Sequence, residues 1–254
     1  MVRTIKKQPI KLAFLGCGFA TRLHSATLSH LKPEVHCFYA SRNEGKAVGY
    51  NQKYKGRGFF GSYHAAISHP NIDVVYTRTD DTFLGLKNRT SIANKNNGQI
   101  FISIHANSSS AKSARGYEIF LLQPKSIDEA IDVAIRENAS IIFEDDISAY
   151  DQNQIIADIS QSTFLKESEQ LAVFIQNGIK KELPKTRNRG IKQAGFHVLV
   201  GASMPNLLIE TGFLTNKSEA QMLNKSTYRK KFARGIYNGI AEYIKYYNKK
   251  YIND

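Results

Sequence analysis

Between Ile10 and Thr77 short apolar runs alternate with amphipathic stretches, and this alternation restricts the chain to few folds. Ile10 to Leu15 is an apolar run that stops at Gly16-Cys17-Gly18, as a buried strand entering a tight turn does. Leu23, Leu28 and Leu31, with Ala20, Ala26 and Thr27 among them, have helical spacing, and Pro33 marks the end. Val35 to Ala40 predicts a second strand, Asn43 to Tyr54 a second helix, and Gly58 to Gly61 a third strand. Ala65 to Ser68 predicts a brief helix stopped by Pro70, and Ile72 to Thr77 another strand. Strand and helix in this rhythm predict a parallel sheet with right-handed crossovers.

Past Thr77 the alternation continues. Thr79 to Thr82 predicts a polar loop, Leu84 to Asn94 a helix, and Ile100 to Ile104 a dense buried strand that runs into His105-Ala106-Asn107. Gly116 to Leu122 follows as a strand, and Ile127 to Asn138 and Gln152 to Gln176 have helical periodicity. Phe196 to Val200 and Leu207 to Glu210 predict short strands. Tyr228 to Tyr247 predicts a long amphipathic helix with Phe232, Ile236, Ile240, Tyr243 and Ile244 on one stripe. No internal repeat and no Pro- or Gly-rich linker is visible; if there are two units, they meet within a strand.

Composition closes off several classes. With 42% hydrophobic and 22% charged residues, the 254-residue chain has the makeup of a globular protein with a substantial core, not of a disordered one. Cys17 and Cys37 sit in apolar stretches and read as buried free thiols, not as a disulfide framework. The apolar run near the N-terminus is too brief to span a membrane and lacks a small-residue cleavage site, so no export signal is expected. A net charge of +13 and a pI near 9.6 favour a polyanionic partner, be it nucleic acid, anionic lipid or an acidic wall polymer.

Two constellations carry chemistry. The first is Gly16-x-Gly18 between a strand and a helix, where a backbone can approach a pyrophosphate at a helix N-terminus. Where a ribose-binding acid would be expected the chain has Ala40-Ser41-Arg42, and Ser41 and Arg42 suit a 2′-phosphate, hence NADP and not NAD. Together with Phe19-Ala20-Thr21-Arg22-Leu23-His24 and His69-Pro70-Asn71-Ile72-Asp73-Val74-Val75-Tyr76, this resembles the opening of the glucose-fructose oxidoreductase and inositol dehydrogenase family. The resemblance covers residues 1–76 and stops before that family's Glu-Lys-Pro motif. His24 reads as a helix residue, not a catalytic group.

The second constellation is longer. Val74-Val75-Tyr76-Thr77-Arg78-Thr79-Asp80-Asp81, Phe101-Ile102-Ser103-Ile104-His105-Ala106-Asn107, Gly116-Tyr117-Glu118, Arg189-Gly190-Ile191-Lys192-Gln193-Ala194-Gly195-Phe196 and Met204 to Asn216 occur in order and resemble the zinc-dependent N-acetylmuramoyl-L-alanine amidases. The resemblance implies a hydrolase that cuts peptide stems from peptidoglycan, with His105 as a zinc ligand and Glu210 as the catalytic acid/base. Both residues lie at strand ends, where α/β sheets collect ligands. The family's other two zinc ligands, a histidine in a Gly-His-Gly turn and a glutamate at the start of the first helix, have no counterpart, so the expected zinc site is incomplete. Cys17 stands where that histidine would, and thiolate is a zinc ligand. Residues 126–171 resemble the insertion of cell-division amidases, which covers the zinc site until an activator protein removes it; Glu144 is the candidate for the acid that caps the metal. His197 reads as a core or sheet residue.

The expected fold class is therefore α/β, with a mainly parallel or mixed sheet and helices on both faces: a Rossmann-like segment over 1–76 joined to a truncated amidase domain over 77–254. Three functional readings follow: a peptidoglycan amidase, an NADP-binding module, or an inactive chimera of the two. The amidase resemblance implies peptidoglycan as the partner, not nucleic acid, and a periplasmic or cell-surface location, whereas the chain as given, without an export signal, implies the cytoplasm.

Overall fold

The computed structural model describes residues 10–15, 25, 28, 35–62, 65, 74–78, 83–122, 128–144 and 164–251. The chain divides into two compact units, Met1–Leu84 and Gly85–Asp254. Among the described residues no helix is long and apolar enough to cross a membrane.

In the N-terminal unit, β1 (Ile10–Leu15), β2 (Val35–Ala40), β3 (Gly58–Phe60) and β4 (Val74–Val75) form a parallel sheet in the order β3-β2-β1-β4. Between β2 and β3 runs α1 (Glu44–Tyr54). Asn43 starts this helix by accepting a hydrogen bond from the Lys46 N–H, and Lys55 ends it in the left-handed conformation. Among the described residues Leu12, Tyr39 and Ala47 form the buried core, with the rings of Tyr50 and Tyr54 tilted against Tyr39. Cys37 is a half-buried free thiol whose pKa burial pushes up to about 11, so it stays protonated and unreactive at neutral pH. Gly16, Cys17, Gly18 and His24, the expected loop at 79–82 and most of the expected helix at 65–68 lie outside the described residues.

The C-terminal unit holds β5 (Phe101–Asn107), β6 (Tyr117–Leu122), β7 (Asn188–Ala194) and β8 (Asn206–Phe213) in the order β5-β8-β6-β7. β5 and β8 are parallel, β8 and β6 antiparallel, and β6 and β7 parallel, so this sheet is mixed. Its described α-helices are α2 (Leu86–Lys95), α3 (Asp128–Asn138), α4 (Leu165–Glu182), α5 (Lys217–Asn224) and α6 (Ser226–Tyr251). Alternation along the strands sorts residues to the two faces. Tyr117, Ile119, Leu121, Leu207 and Ile209 pack against Leu171, Ile175 and Ile179 of α4 and Phe232, Ile236 and Tyr243 of α6. On the other face Phe101, Phe120, Leu122 and Leu208 meet Ala130, Val133 and Ala134 of α3.

Helices α4 and α6 cross at glycines. A Cβ on Gly178 would sit 2.2 Å from the Gly235 carbonyl oxygen, and one on Gly239 would sit 2.4 Å from the Ile175 Cα. Only the missing side chains permit that approach.

Several expectations are corrected. Phe196 to Val200 is not a strand: His197–Leu199 is a turn of 3₁₀ helix, and Phe196, Val198, Leu199 and Val200 are all buried without alternation. A short apolar run reads the same way in either conformation. Of the helix expected over Gln152 to Gln176, the described part is α4 from Leu165, and residues 145–163 lie outside the described set. Ile244 is 44% exposed and falls off the buried stripe of α6.

Candidate metal centre

The register of the mixed sheet brings the chemistry together. His105 on β5 lies opposite Glu210 on β8, and Glu210 lies opposite Glu118 on β6, so these three residues form a row across the strands. Glu210 follows Leu208 on the face covered by α3, because successive odd and even positions of β8 point to opposite sides. The last turn of α3 lies over this row. Asn138 anchors it, donating to the Gly195 carbonyl at 2.8 Å and accepting from the His197 N–H at 2.9 Å.

From this turn Glu137 reaches His105: its Oε2 lies 2.5 Å from Nδ1. Ligand atoms of His105, Glu137 and Glu210 all lie within 4.8 Å of one another. Glu210 is fully buried, and neither of its carboxyl oxygens has a hydrogen-bond partner among the described residues. Burial pushes its pKa up to about 9, helped by the charges of Glu137 and Glu118 and opposed by Arg136. An orphaned buried carboxyl is costly unless something binds there. A nitrogen and two carboxylates at one point, one of them lacking any partner, form a donor set that fits a divalent cation such as zinc.

Glu118 builds the wall beside this point. It is buried and accepts hydrogen bonds from Arg189 Nε, from Lys192 Nζ at 3.0 Å and from Asn107 Nδ2 at 3.1 Å. Regular alternation would send positions 189 and 192 to opposite faces. Gly190, at φ +94°, and the register shift between β6 and β7 place both cations on one carboxylate. Arg136 donates to Asn107 Oδ1 at 3.4 Å and so joins α3 to the same network.

His105 and Glu210, both singled out by sequence, are thus brought together. Glu144 is not with them. Its Oε1 accepts the Leu86 N–H at 2.7 Å and so caps α2, which has no side-chain cap of its own at Gly85. Among the described residues, the acid from the insertion that reaches the site is Glu137, which sequence reading missed in favour of Glu144; its place in the last turn of an amphipathic helix was the available signal. Burial lowers the pKa of the His197 imidazole, which is tied by its backbone to Asn138. In the N-terminal unit the Ser41 hydroxyl accepts the Asn43 N–H at 3.1 Å, and Arg42 is exposed.

The N-acetylmuramoyl-L-alanine amidase family model matches residues 62–242. An N-acetylmuramoyl-L-alanine amidase of Salmonella typhimurium, AmiA, is 33% identical over 193 residues, covering 72% of this chain. Its Escherichia coli namesake is 32% identical over 186 residues, covering 70%. The chain spans 65% and 63% of the lengths of these two relatives. Among solved structures, the Clostridium difficile N-acetylmuramoyl-L-alanine amidase superposes with a TM-score of 0.51 at 29% identity, covering 70% of this chain and 74% of its own. The catalytic domain of CwlV from Bacillus (Paenibacillus) polymyxa has a TM-score of 0.52 at 22% identity and covers 93% of this chain and 98% of its own, a likeness of fold.

Proposed function

The chain belongs to the N-acetylmuramoyl-L-alanine amidase family, and from that premise we propose that it is a zinc-assisted hydrolase of the amide between N-acetylmuramic acid and L-alanine in peptidoglycan. The observation that carries the reading is the fully buried, unpartnered Glu210 carboxyl in register with His105. His105 and Glu137 would hold the metal. Zinc, when bound, supplies a Lewis acid that polarises a carbonyl and lowers the pKa of water to about 7.

The chain's own residues supply the proton traffic. Amide hydrolysis needs a base for the attacking water and an acid for the departing nitrogen. Glu210 serves both, taking the water's proton onto its carboxylate and giving it to the leaving amine. Its burial makes it a strong base once ionised and a proton holder otherwise. Glu118 keeps Arg189 and Lys192 together at the edge of the same site. The positive net charge suits an anionic wall, and the cell wall is the proposed place of action. Since α3 carries both Arg136 and Glu137 into the site, a protein that binds the 126–171 segment would change the donor set directly; this is where an activator would act. The test is release of stem peptides from purified murein by zinc-loaded protein. His105→Ala and Glu210→Gln are each expected to lower the rate by at least about a hundredfold; wild-type protein that releases nothing refutes the reading.

A second reading concerns the N-terminal unit alone. Its parallel order β3-β2-β1-β4 is that of half a dinucleotide-binding sheet, and the family match begins only at residue 62. Both favour a composite chain whose first part binds NADP through Gly16, Gly18, Ser41 and Arg42. NADPH fluorescence enhancement that Gly18→Asp abolishes is the expected result; no enhancement with wild-type protein removes this reading.

A further inference from the structure

We propose that Ser103 is a positioning residue of the metal centre, whose hydroxyl holds the His105 ring so that Nδ1 faces Glu137. The proposal rests on the metal reading above and deepens it.

Ser103 and His105 are two positions apart on β5, so their side chains stand side by side on one face. Ser103 Oγ lies 2.9 Å from His105 Nε2. On the other side of the ring, Nδ1 lies 2.5 Å from Glu137 Oε2, and the residue belongs to the cluster with Glu137 and Glu210. The ring is therefore gripped at one nitrogen by a hydroxyl and offers the other to the donor set.

The surroundings make this a specific arrangement. Ser103 is buried, and its face of the sheet is otherwise packed by Phe101, Phe120 and Leu208. Among the described residues the imidazole is the partner its hydroxyl meets. A hydroxyl suits the task because it both donates and accepts. It accepts from Nε2–H when Nδ1 presents its lone pair to a cation, and donates to Nε2 when Nδ1 carries the proton toward Glu137. An apolar side chain allows neither. The backbone is held too: the Thr211 hydroxyl donates to the His105 carbonyl at 2.9 Å, just before the register of β5 and β8 shifts between His105 and Asn107. Ring and main chain are thus fixed by separate hydroxyls from adjacent strands.

Partners that orient a metal-bound histidine are worth about 10- to 100-fold in affinity. The experiment is a Zn²⁺ competition titration of the full chain against a chromophoric chelator, with Ser103→Thr and Ser103→Val compared. These variants share a β-branched shape suited to a strand and differ by the hydroxyl. Threonine is expected to bind zinc like wild type, and valine about tenfold or more weakly. Nitrogen-15 NMR of the His105 imidazole in zinc-free protein gives a second readout: the hydrogen-bonded Nε2 signal persists in threonine and is lost in valine. If valine and threonine bind zinc equally and share one imidazole spectrum, the assignment of Ser103 is wrong while the metal reading stands. If wild-type protein binds no zinc, both fall together.

Discussion

Among the described residues, the N-terminal unit's buried core gathers around Leu12, Tyr39 and Ala47 with half-buried neighbours, whereas the C-terminal unit packs both faces of its sheet with separate clusters. Both units arise from alternating strands and helices, and in the second, apolar side chains surround a polar row and keep it from water. That difference is chemical. A carboxyl needs depth before burial can move its pKa to about 9, and Glu210 lies under α3 beside Phe120 and Leu208 of the same face. Burial raises the pKa of Cys37 in the N-terminal unit as well, but there it yields an inert thiol with no convergent donors among the described residues.

The widest gap should appear in core truncations. Phe120→Ala removes a fully buried ring, 4.9 Å from that of Phe196, and is expected to cost about 4 kcal/mol in denaturant unfolding. Leu12→Ala should cost about 2 kcal/mol, because the half-buried neighbours around it can collapse into the space. Equal costs would mean that the two interiors are equally well packed.

Next comes the pH dependence of the metal-free protein. The pKa of Glu210 in the folded state lies above its unfolded value, so its contribution is fully present below the unfolded value of 4.5 and is lost as pH rises toward about 9. Stability should therefore fall across that window. Glu210→Gln should flatten the slope and leave the folded protein more stable by about 3 kcal/mol at pH 7. A slope unchanged in the variant would show that Glu210 is not the buried proton holder.

Smallest are the helix caps, which sharpen the comparison locally. Asn216 accepts from the Ser218 and Glu219 N–H groups and donates to the Lys112 carbonyl, while Asn43 accepts from Lys46 alone at its helix start. Asn216→Ala is expected to cost about 1.5 kcal/mol and Asn43→Ala about 0.5 kcal/mol by thermal unfolding. The reverse order would contradict the reading that the Asn216 cap is the better satisfied of the two.

How far the sequence discloses this molecule depends on what kind of information each feature needs. β1 and β2 end where their apolar runs end, and Asn43 announces α1 as a cap should. β7 is hidden in sequence because Asn188, Arg189, Lys192 and Gln193 make a polar text broken by Gly190; its strand character comes from pairing with β6. Local polarity cannot reveal a partner supplied by tertiary structure. His105 and Glu210 were legible because motifs carry them, and their juxtaposition follows from a register that no local pattern encodes. Choosing between Glu137 and Glu144 required the path of the chain after α3, where Glu144 turns back to the start of α2.

The central claim is that His105 and Glu137 hold a metal beside Glu210. Equilibrium dialysis of the whole chain against Zn²⁺, with bound metal quantified by atomic emission, tests it most directly. The account predicts about one tightly held zinc per chain, lost in His105→Ala and weakened in Glu137→Gln. Wild-type protein that retains none, or His105→Ala that retains as much as wild type, would contradict it.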